Sequence, residues 1–403
     1  MAGRRRARGA WWVRGVALWL LLGSLVALVA CGGRPGIDTA SADVRRLLDR
    51  RSAAVLAGDA AAYAGTGASA QFTRLRALPL AAWSYRLVAL RRTGDDGATA
   101  DVELSYRVQG IDKAPVKAGR TLRLTQRHNG RWYVDDDEPA RGTARQLWDQ
   151  GTVEAVRGAH SLVLGVGQSP DLLRGYAGLA DRAVPAVTDA WGGAWTKRVV
   201  ILVPKSLDGM AGLLGSPSSA YRGIAAVTTG EAGGSVTAPA DRIIVNPEAY
   251  GVLGGFGKQV VLTHETTHVA TRTATTAATP LWLSEGYADW VGYRSTGRTA
   301  VQAAPELARA VAAGEVPDAL PVDADFGFGG DAAKLAQAYE GGWLACRLIA
   351  DRWGEVRLGE FYRAVGAHGK RAGAVQGALA KVLGTTPGEF TGLWREYLRA
   401  QLG

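Results

Sequence analysis

Apolar and polar positions alternate along the first part of the chain and then give way to helical spacing. Every second residue of Val102–Val108 is apolar, and such a period of two predicts strands with one buried face. With a helix expected over residues 38–58, the pattern predicts a small α+β domain over residues 38–140. His128-Asn129-Gly130 predicts a type I′ turn into the last strand. The acidic run Asp135–Glu138 is interpreted as a solvated linker.

The rest of the chain reads as a mixed sheet followed by helices. Apolar runs predict helices over residues 147–164 and 172–191, and buried strands over residues 198–203 and 242–246. Residues 205–240 are rich in Gly, Ser, Thr and Ala and are expected to form loops around one or two short strands. Further helices are predicted at 301–313, 331–353, 356–367, 372–383 and 387–400. We therefore expect an α+β protein: a helix-plus-antiparallel-sheet roll, then a domain over residues 146–403 with a mixed sheet and a helical C-terminal subdomain.

The N-terminus has the layout of an export signal. Four arginines lie within residues 4–8, an apolar stretch follows from Val16 to Ala30, and Leu28-Val-Ala-Cys31-Gly closes it. These last residues resemble a bacterial lipobox. We predict a signal peptide over residues 1–30 and a short linker over residues 31–37 that is lipidated on Cys31, which would anchor the protein on the extracytoplasmic face of the cell membrane. An uncleaved signal anchor is the alternative, because the apolar length approaches the roughly 20 residues that span a bilayer.

Charge and cysteine content narrow the range of partners. The formal net charge is +10, and removal of the five arginines of residues 1–30 lowers it to +5. This mild excess suits a domain near an anionic membrane and gives no reason to expect nucleic acid as a partner. Of the two cysteines, Cys346 lies in an apolar helical segment and is expected to be a small buried side chain.

The strongest chemical signal is the motif His264-Glu265-Thr-Thr-His268. On a helix, His264 and His268 lie one turn apart on the same face, so both imidazoles can bind one zinc ion. Glu265 beside them can accept a proton from a water whose pKa zinc lowers from about 15.7 to about 7. Such a motif also arises by chance, but here it stands on an apolar helical background.

A second, acidic motif offers a third zinc ligand in addition to the two histidines. Catalytic zinc usually has about three protein ligands, and Glu285 in Trp282-Leu-Ser-Glu285-Gly-Tyr-Ala can be the third. Thr279-Pro280 predicts a helix start, as a cap followed by proline at the first helical position. On that helix Asp289 shares a face with Glu285 and could accept the second ring N–H of a ligand histidine.

These motifs resemble those of the gluzincin metallopeptidases, which include thermolysin and the aminopeptidase N family, and of peptidase MA-like domains in bacterial envelope proteins. The resemblance covers roughly residues 150–400 and implies a thermolysin-like zincin domain with one zinc. It implies further that Tyr339, in Ala338-Tyr339-Glu340-Gly341-Gly342-Trp343-Leu344, donates to the oxyanion of the substrate. A tyrosine at this spacing is also common in a helical core, and that alternative stays open.

The resemblance also suggests where a peptide would bind. In gluzincins an edge strand before the metal helix pairs with extended substrate, and this role falls to Arg242-Ile243-Ile244-Val245-Asn246. The Gly-Ala-Met-Glu-Asn type segment of aminopeptidase N relatives is absent, so aminopeptidase specificity is not implied. Residues 38–140 resemble the rolls of nuclear transport factor 2-like domains, and we hypothesise a spacer or binding module there.

The sequence therefore predicts a membrane-anchored zinc metallopeptidase. Zinc bound by His264, His268 and Glu285 would act with Glu265 as general base on a peptide or protein substrate. Two other hypotheses remain: a catalytically degenerate zincin that serves as an envelope binding or scaffold lipoprotein, and a hydrolase of a non-peptide amide or ester.

Overall fold

Three helices and a four-stranded antiparallel meander form the N-terminal part of the protein. The computed structural model describes residues 39–229, 240–327 and 330–403. The helices are α1 (Thr39–Ala57), α2 (Ala60–Ala64) and α3 (Ala70–Leu75). The strands are β1 (Leu80–Arg92), β2 (Gly97–Val108), β3 (Val116–Gln126) and β4 (Trp132–Pro139), paired in chain order. Buried and half-buried residues alternate strictly along β2, so the predicted period of two is confirmed.

Two local expectations for this sheet are wrong. The β3–β4 hairpin is not a type I′ turn, because Gly130 has a positive φ of 73° and Asn129 does not. The amide of Gly130 donates to the carbonyl of Arg127, and Arg127 pairs with Arg131, which makes a three-residue loop with glycine in the left-handed position. The acidic run Asp135–Glu138 belongs to β4 and is not a linker. Its Asp137 is buried against Arg120, with 2.7 Å between Arg120 Nε and Asp137 Oδ1.

A five-stranded mixed sheet follows. It contains β5 (Val153–Arg157), β6 (Ser161–Val166), β7 (Val199–Val203), β8 (Ala226–Thr228) and β9 (Ile243–Val245) in the order β5-β6-β7-β9-β8. β6, β7 and β9 run parallel, whereas β5 and β8 are antiparallel to their neighbours. The predicted helix over residues 147–164 is wrong: a 3₁₀ turn at Leu147–Asp149 leads into two strands.

The strand predicted to bind substrate is not an edge strand. Ile243 and Ile244 pair with β7, and Ile243, Ile244 and Val245 also pair with β8. Arg242 and Asn246 continue the ladder, since the Arg242 carbonyl accepts from Thr229 and the Asn246 amide donates to Ala225. With β7 on one side of Ile243 and Ile244 and β8 along the other side of Arg242–Asn246, the segment lies inside the sheet and cannot take a further strand as an edge would. Among the described residues β8 is the edge on this side of the sheet.

Helices cover the sheet and build the C-terminal part. They are α4 (Pro170–Trp191), α5 (Leu207–Leu214), α6 (Pro247–Gly251), α7 (Gly255–Thr271), α8 (Leu281–Tyr293), α9 (Ala300–Ala303), α10 (Pro305–Ala312), α11 (Ala332–Trp353), α12 (Glu355–Gly366), α13 (Ala374–Ala378), continued by a π-helical turn Leu379–Leu383, and α14 (Pro387–Leu402). Helix α8 begins one residue later than expected, with Pro280 as its N-cap. Asp323 Oδ1 accepts from the Leu281 amide at 2.9 Å. The mixed α+β class, with an antiparallel sheet first and helices last, is confirmed.

The two sheets share a hydrophobic core. Trp148 packs against Trp83 and Tyr106 of the meander, with ring centroids 5.4 and 5.1 Å apart. The same cluster extends to residues of β5, β6 and β7. A buried ion pair adds to this, because both oxygens of Asp112 lie 2.8 Å from the guanidinium of Arg242. Residues 40–403 accordingly form one compact unit.

The predicted signal peptide and the lipidated Cys31 lie outside the described residues. Within the described ranges, none of the helices combines the length and apolar character needed to span a bilayer. Cys346 is buried in α11 as a free thiol.

Candidate metal centre

Helix α7 places two imidazoles on one face. His264 and His268 are one turn apart, and their Nε2 atoms are 2.9 Å from each other. Leu262 and Ala270 of this helix are buried in two different hydrophobic clusters, and this packing fixes the helix in place. The predicted juxtaposition of the two histidines is therefore present in the structure.

Helix α8 brings a carboxylate to the same point. Glu285 Oε2 lies 3.2 Å from Nε2 of His264 and 3.5 Å from Nε2 of His268. Ligand atoms of the three residues all lie within 4.8 Å of one another, the one such group found among the described residues. Glu285 and His268 are buried, and His264 is half-buried.

Glycines allow α8 to approach its neighbours closely enough to hold Glu285 there. A Cβ on Gly286 would lie 2.2 Å from the carbonyl oxygen of Gly342 in α11, and a Cβ on Gly342 would lie 2.7 Å from that of Trp282. On the opposite side, a Cβ on Gly292 would lie 3.2 Å from the carbonyl oxygen of Val260 in α7. Helix α8 is thus packed between the histidine helix and α11, backbone against backbone.

Asp289 contacts the first histidine. Its Oδ1 lies 2.8 Å from Nδ1 of His264, which places the ring proton on Nδ1 and leaves Nε2 directed at Glu285 and His268. Burial opposes a charge on His264, but the carboxylates of Asp289 and Glu285 raise its pKa to about 10. Burial likewise acts against ionised Glu285, yet the two histidines hold the pKa of Glu285 below its usual range. This environment favours a cation between the three side chains, which is the charge that a metal ion brings.

Glu265 follows His264 on α7, is buried, and accepts a hydrogen bond from a residue that the sequence analysis did not identify. The hydroxyl of Thr228 donates to Glu265 Oε2 at 2.7 Å, across from β8 to α7. Thr228 is fully buried and Glu265 is 5% exposed. No local motif marks Thr228, because it precedes Glu265 by 37 residues on a short strand. The sequence of β8 alone does not show that this strand lies against α7.

Tyr339 lies on α11, one turn before Gly342. It is half-buried, and its ring meets that of Phe326 edge-on with centroids 5.1 Å apart. Its helix contacts α8 through the glycines described above. A role for its hydroxyl on substrate stays a prediction.

The donor set fits zinc. Two imidazole nitrogens and one carboxylate oxygen converge on a point from two rigid helices, and zinc in catalytic sites takes about three such ligands with one position left open. The carboxylate of Asp289 behind His264 supplies the outer contact that such histidines usually have.

One of three comparisons with known proteins finds similar chains, and it is the comparison with solved structures. No protein-family model matches the sequence, and no curated protein matches it. Three solved structures are mutants of M1 zinc metallopeptidases: one from Deinococcus radiodurans (13% identity, 77% of this chain and 92% of that chain, TM-score 0.35), one from the same organism bound to a Tyr-Ser-Ala substrate (12%, 77% and 92%, 0.35), and a two-domain enzyme bound to L-arginine (12%, 81% and 96%, 0.36).

Proposed function

We propose that this protein is a zinc-dependent hydrolase of peptide bonds, with zinc held by His264, His268 and Glu285. The observation that carries the proposal is the convergence of these three ligand atoms, with the buried Glu265 following His264 on the same helix. A purely structural zinc site is normally closed by four protein ligands and needs no such carboxylate. Zinc, when bound, supplies Lewis acidity that polarises a carbonyl oxygen and lowers the pKa of a water molecule.

Three further residues of the chain have proposed roles in the reaction. Glu265 accepts the proton of the attacking water and passes it to the leaving nitrogen, so no covalent enzyme intermediate is needed. Asp289 keeps His264 in the tautomer that directs Nε2 at the site. Tyr339 is proposed to donate to the developing oxyanion, the position at which a fixed donor contributes most.

The corrected edge strand is the proposed place for an extended peptide. The amide of Asn246 donates to Ala225 and the amide of Thr229 donates to Arg242, on either side of β8. Val227, midway between them, is in register with Ile244. Ala225, Val227 and Thr229 are therefore the residues whose main chain bonds to the β9 segment. In an antiparallel ladder the alternate residues, Ala226 and Thr228, therefore direct their N–H and C=O groups to the outer edge. Main-chain pairing there would give affinity with little sequence selectivity.

The location of this activity is proposed from the N-terminal sequence. A lipid on Cys31 would hold the protein at the outer face of the cell membrane, with residues 38–140 next to the anchor. The shared core of the two sheets suggests that these residues also support the peptidase part and do more than separate it from the membrane.

Replacement of Glu265 by Gln tests the proposal. Loss of the general base should lower the rate of peptide hydrolysis by about 10²- to 10⁴-fold while zinc stays bound. Cleavage of a peptide library is measured by mass spectrometry, and zinc by elemental analysis. Glu360→Gln, at a glutamate on α12 that pairs with Arg357, serves as the matched control and should cleave like the wild type. Full turnover by the Glu265→Gln protein would refute the assignment. A wild type that holds zinc but cleaves nothing would support the scaffold alternative, and cleavage of amides or esters but not peptides would support the non-peptide one.

A further inference from the structure

The contact between Thr228 and Glu265 joins the edge strand to the proposed general base. The threonine hydroxyl donates to Glu265 Oε2 at 2.7 Å and lies 3.1 Å from the carbonyl oxygen of the same residue. A hydroxyl has one proton, and the shorter distance together with the negative charge assigns it to the carboxylate.

Such a bond fixes the direction of a carboxylate. The last torsion of a glutamate is broad and turns easily, so packing of the chain alone does not set the plane of its two oxygens. A donor on Oε2 sets that plane and with it the direction of Oε1. General-base catalysis depends on this geometry first, because the base must lie within hydrogen-bond reach of the proton that it accepts.

The strand that carries Thr228 is itself tied to the helix of Glu265. Arg272, the residue directly after α7, donates from Nη2 to the carbonyl of Thr229 and from Nε to Asp241 at 2.7 Å. The amide of Arg242 donates to the Thr229 hydroxyl at 2.9 Å. The end of β8 is therefore held to α7 by contacts independent of the Thr228 hydroxyl, and removal of that hydroxyl should leave the strand in place.

We propose that Thr228 is a positioning residue for Glu265, a side chain that holds the base in line for the reaction. The inference rests on the proposed function for its catalytic part. Thr228 acts through Glu265 and not on the substrate with its side chain. Because its main chain faces the proposed peptide edge, one residue would fix both the register of the peptide and the direction of the base.

Thr228→Val is the direct test, since valine keeps the shape and removes the donor. We expect kcat for a cleaved peptide to fall by about 10- to 100-fold, by analogy with the loss of an outer contact to a metal ligand, with KM and zinc content unchanged. Thr228→Ser should restore most of kcat. Thr188→Val is the matched control: the hydroxyl of this half-buried threonine donates to Val184 of its own helix α4 at 2.7 Å, so kcat should stay near that of the wild type.

A readout independent of activity completes the test. In protein labelled with ¹³C at glutamate carboxyl carbons, the Glu265 resonance is assigned by its absence in Glu265→Gln. It should shift in Thr228→Val and return in Thr228→Ser. An unshifted resonance, or a kcat of Thr228→Val equal to that of the wild type, would overturn the inference. If the wild type hydrolyses nothing, the proposed function fails, and the resonance still decides whether Thr228 holds Glu265.

Discussion

Replacement of Gly286 by alanine should separate the two helices that position Glu285. The new Cβ would lie 2.2 Å from the carbonyl oxygen and 2.3 Å from the carbonyl carbon of Gly342, and 2.9 Å from the amide nitrogen of Trp343. Ordinary contact begins at 3.4 Å. All three atoms are backbone, so no side chain can turn away, and α8 and α11 must move apart by about 1 Å in a close-packed interior.

The cost follows from this geometry. Overpacking a core usually costs about 1–3 kcal/mol, and a backbone clash between two helices belongs at the upper end, about 3 kcal/mol of unfolding free energy. Movement of α8 is opposed on its other side, where Gly292 approaches Val260. Since metal ligands must keep their distances to within about 0.2 Å, displacement of the neighbouring Glu285 should also weaken zinc binding.

Urea unfolding followed by tryptophan fluorescence measures the first effect, and competition with a chromogenic chelator measures the second. Gly392→Ala is the matched control, because a Cβ there meets nothing within 4 Å on the exposed face of α14. Alanine is the better helix former by about 1 kcal/mol, so this variant should be more stable than the wild type. A Gly286→Ala protein as stable as the wild type would refute the close contact. A destabilised one with full zinc affinity would refute the link from this contact to Glu285.

Two further predictions concern buried charges outside the metal centre. Asp112→Asn removes the charge opposite the buried guanidinium of Arg242 and should lower the unfolding free energy by about 3 kcal/mol. Asp101→Asn is the control at an exposed pair and should change the unfolding free energy by less than about 1 kcal/mol. Equal urea midpoints for the two variants would contradict this prediction. Burial raises the pKa of Glu340 from 4.5 to about 7 although it accepts from two backbone amides at the start of α10. The unfolded chain therefore loses this proton first, so stability should fall as pH rises from about 4.5 to about 7; Glu340→Gln should show a flatter urea midpoint over that range, and an unchanged slope would argue against the raised pKa.

The residues of the metal centre could be predicted because their geometry is local. His264, Glu265 and His268 lie within one helical turn, and Asp289 follows Glu285 by one turn on the next helix. Helical periodicity alone then decides which side chains share a face. What brings the two helices together was not visible in the sequence, since the close contact of Gly286 depends on how α8 packs.

Strand order and the positions of the short strands could not be predicted from local sequence patterns. The segment 147–164 has apolar residues whose spacing suits a helix or two strands, and pairing of β6 with β7 decides for strands. The segment Arg242–Asn246 reads correctly as a strand, but its interior position follows from β8 pairing on its outer side. Thr228 was missed for the same reason, because its partner Glu265 is distant in sequence and adjacent only in the fold.

Zinc content tests the central claim most directly. The purified full-length protein is dialysed against a weak chelator and its metal is measured by elemental analysis, beside a Glu285→Gln variant. We predict about one zinc per chain in the wild type, as a site with three protein ligands requires, and much less in the variant. A folded wild type that retains no zinc, or a variant that retains as much as the wild type, would contradict the proposed metal centre.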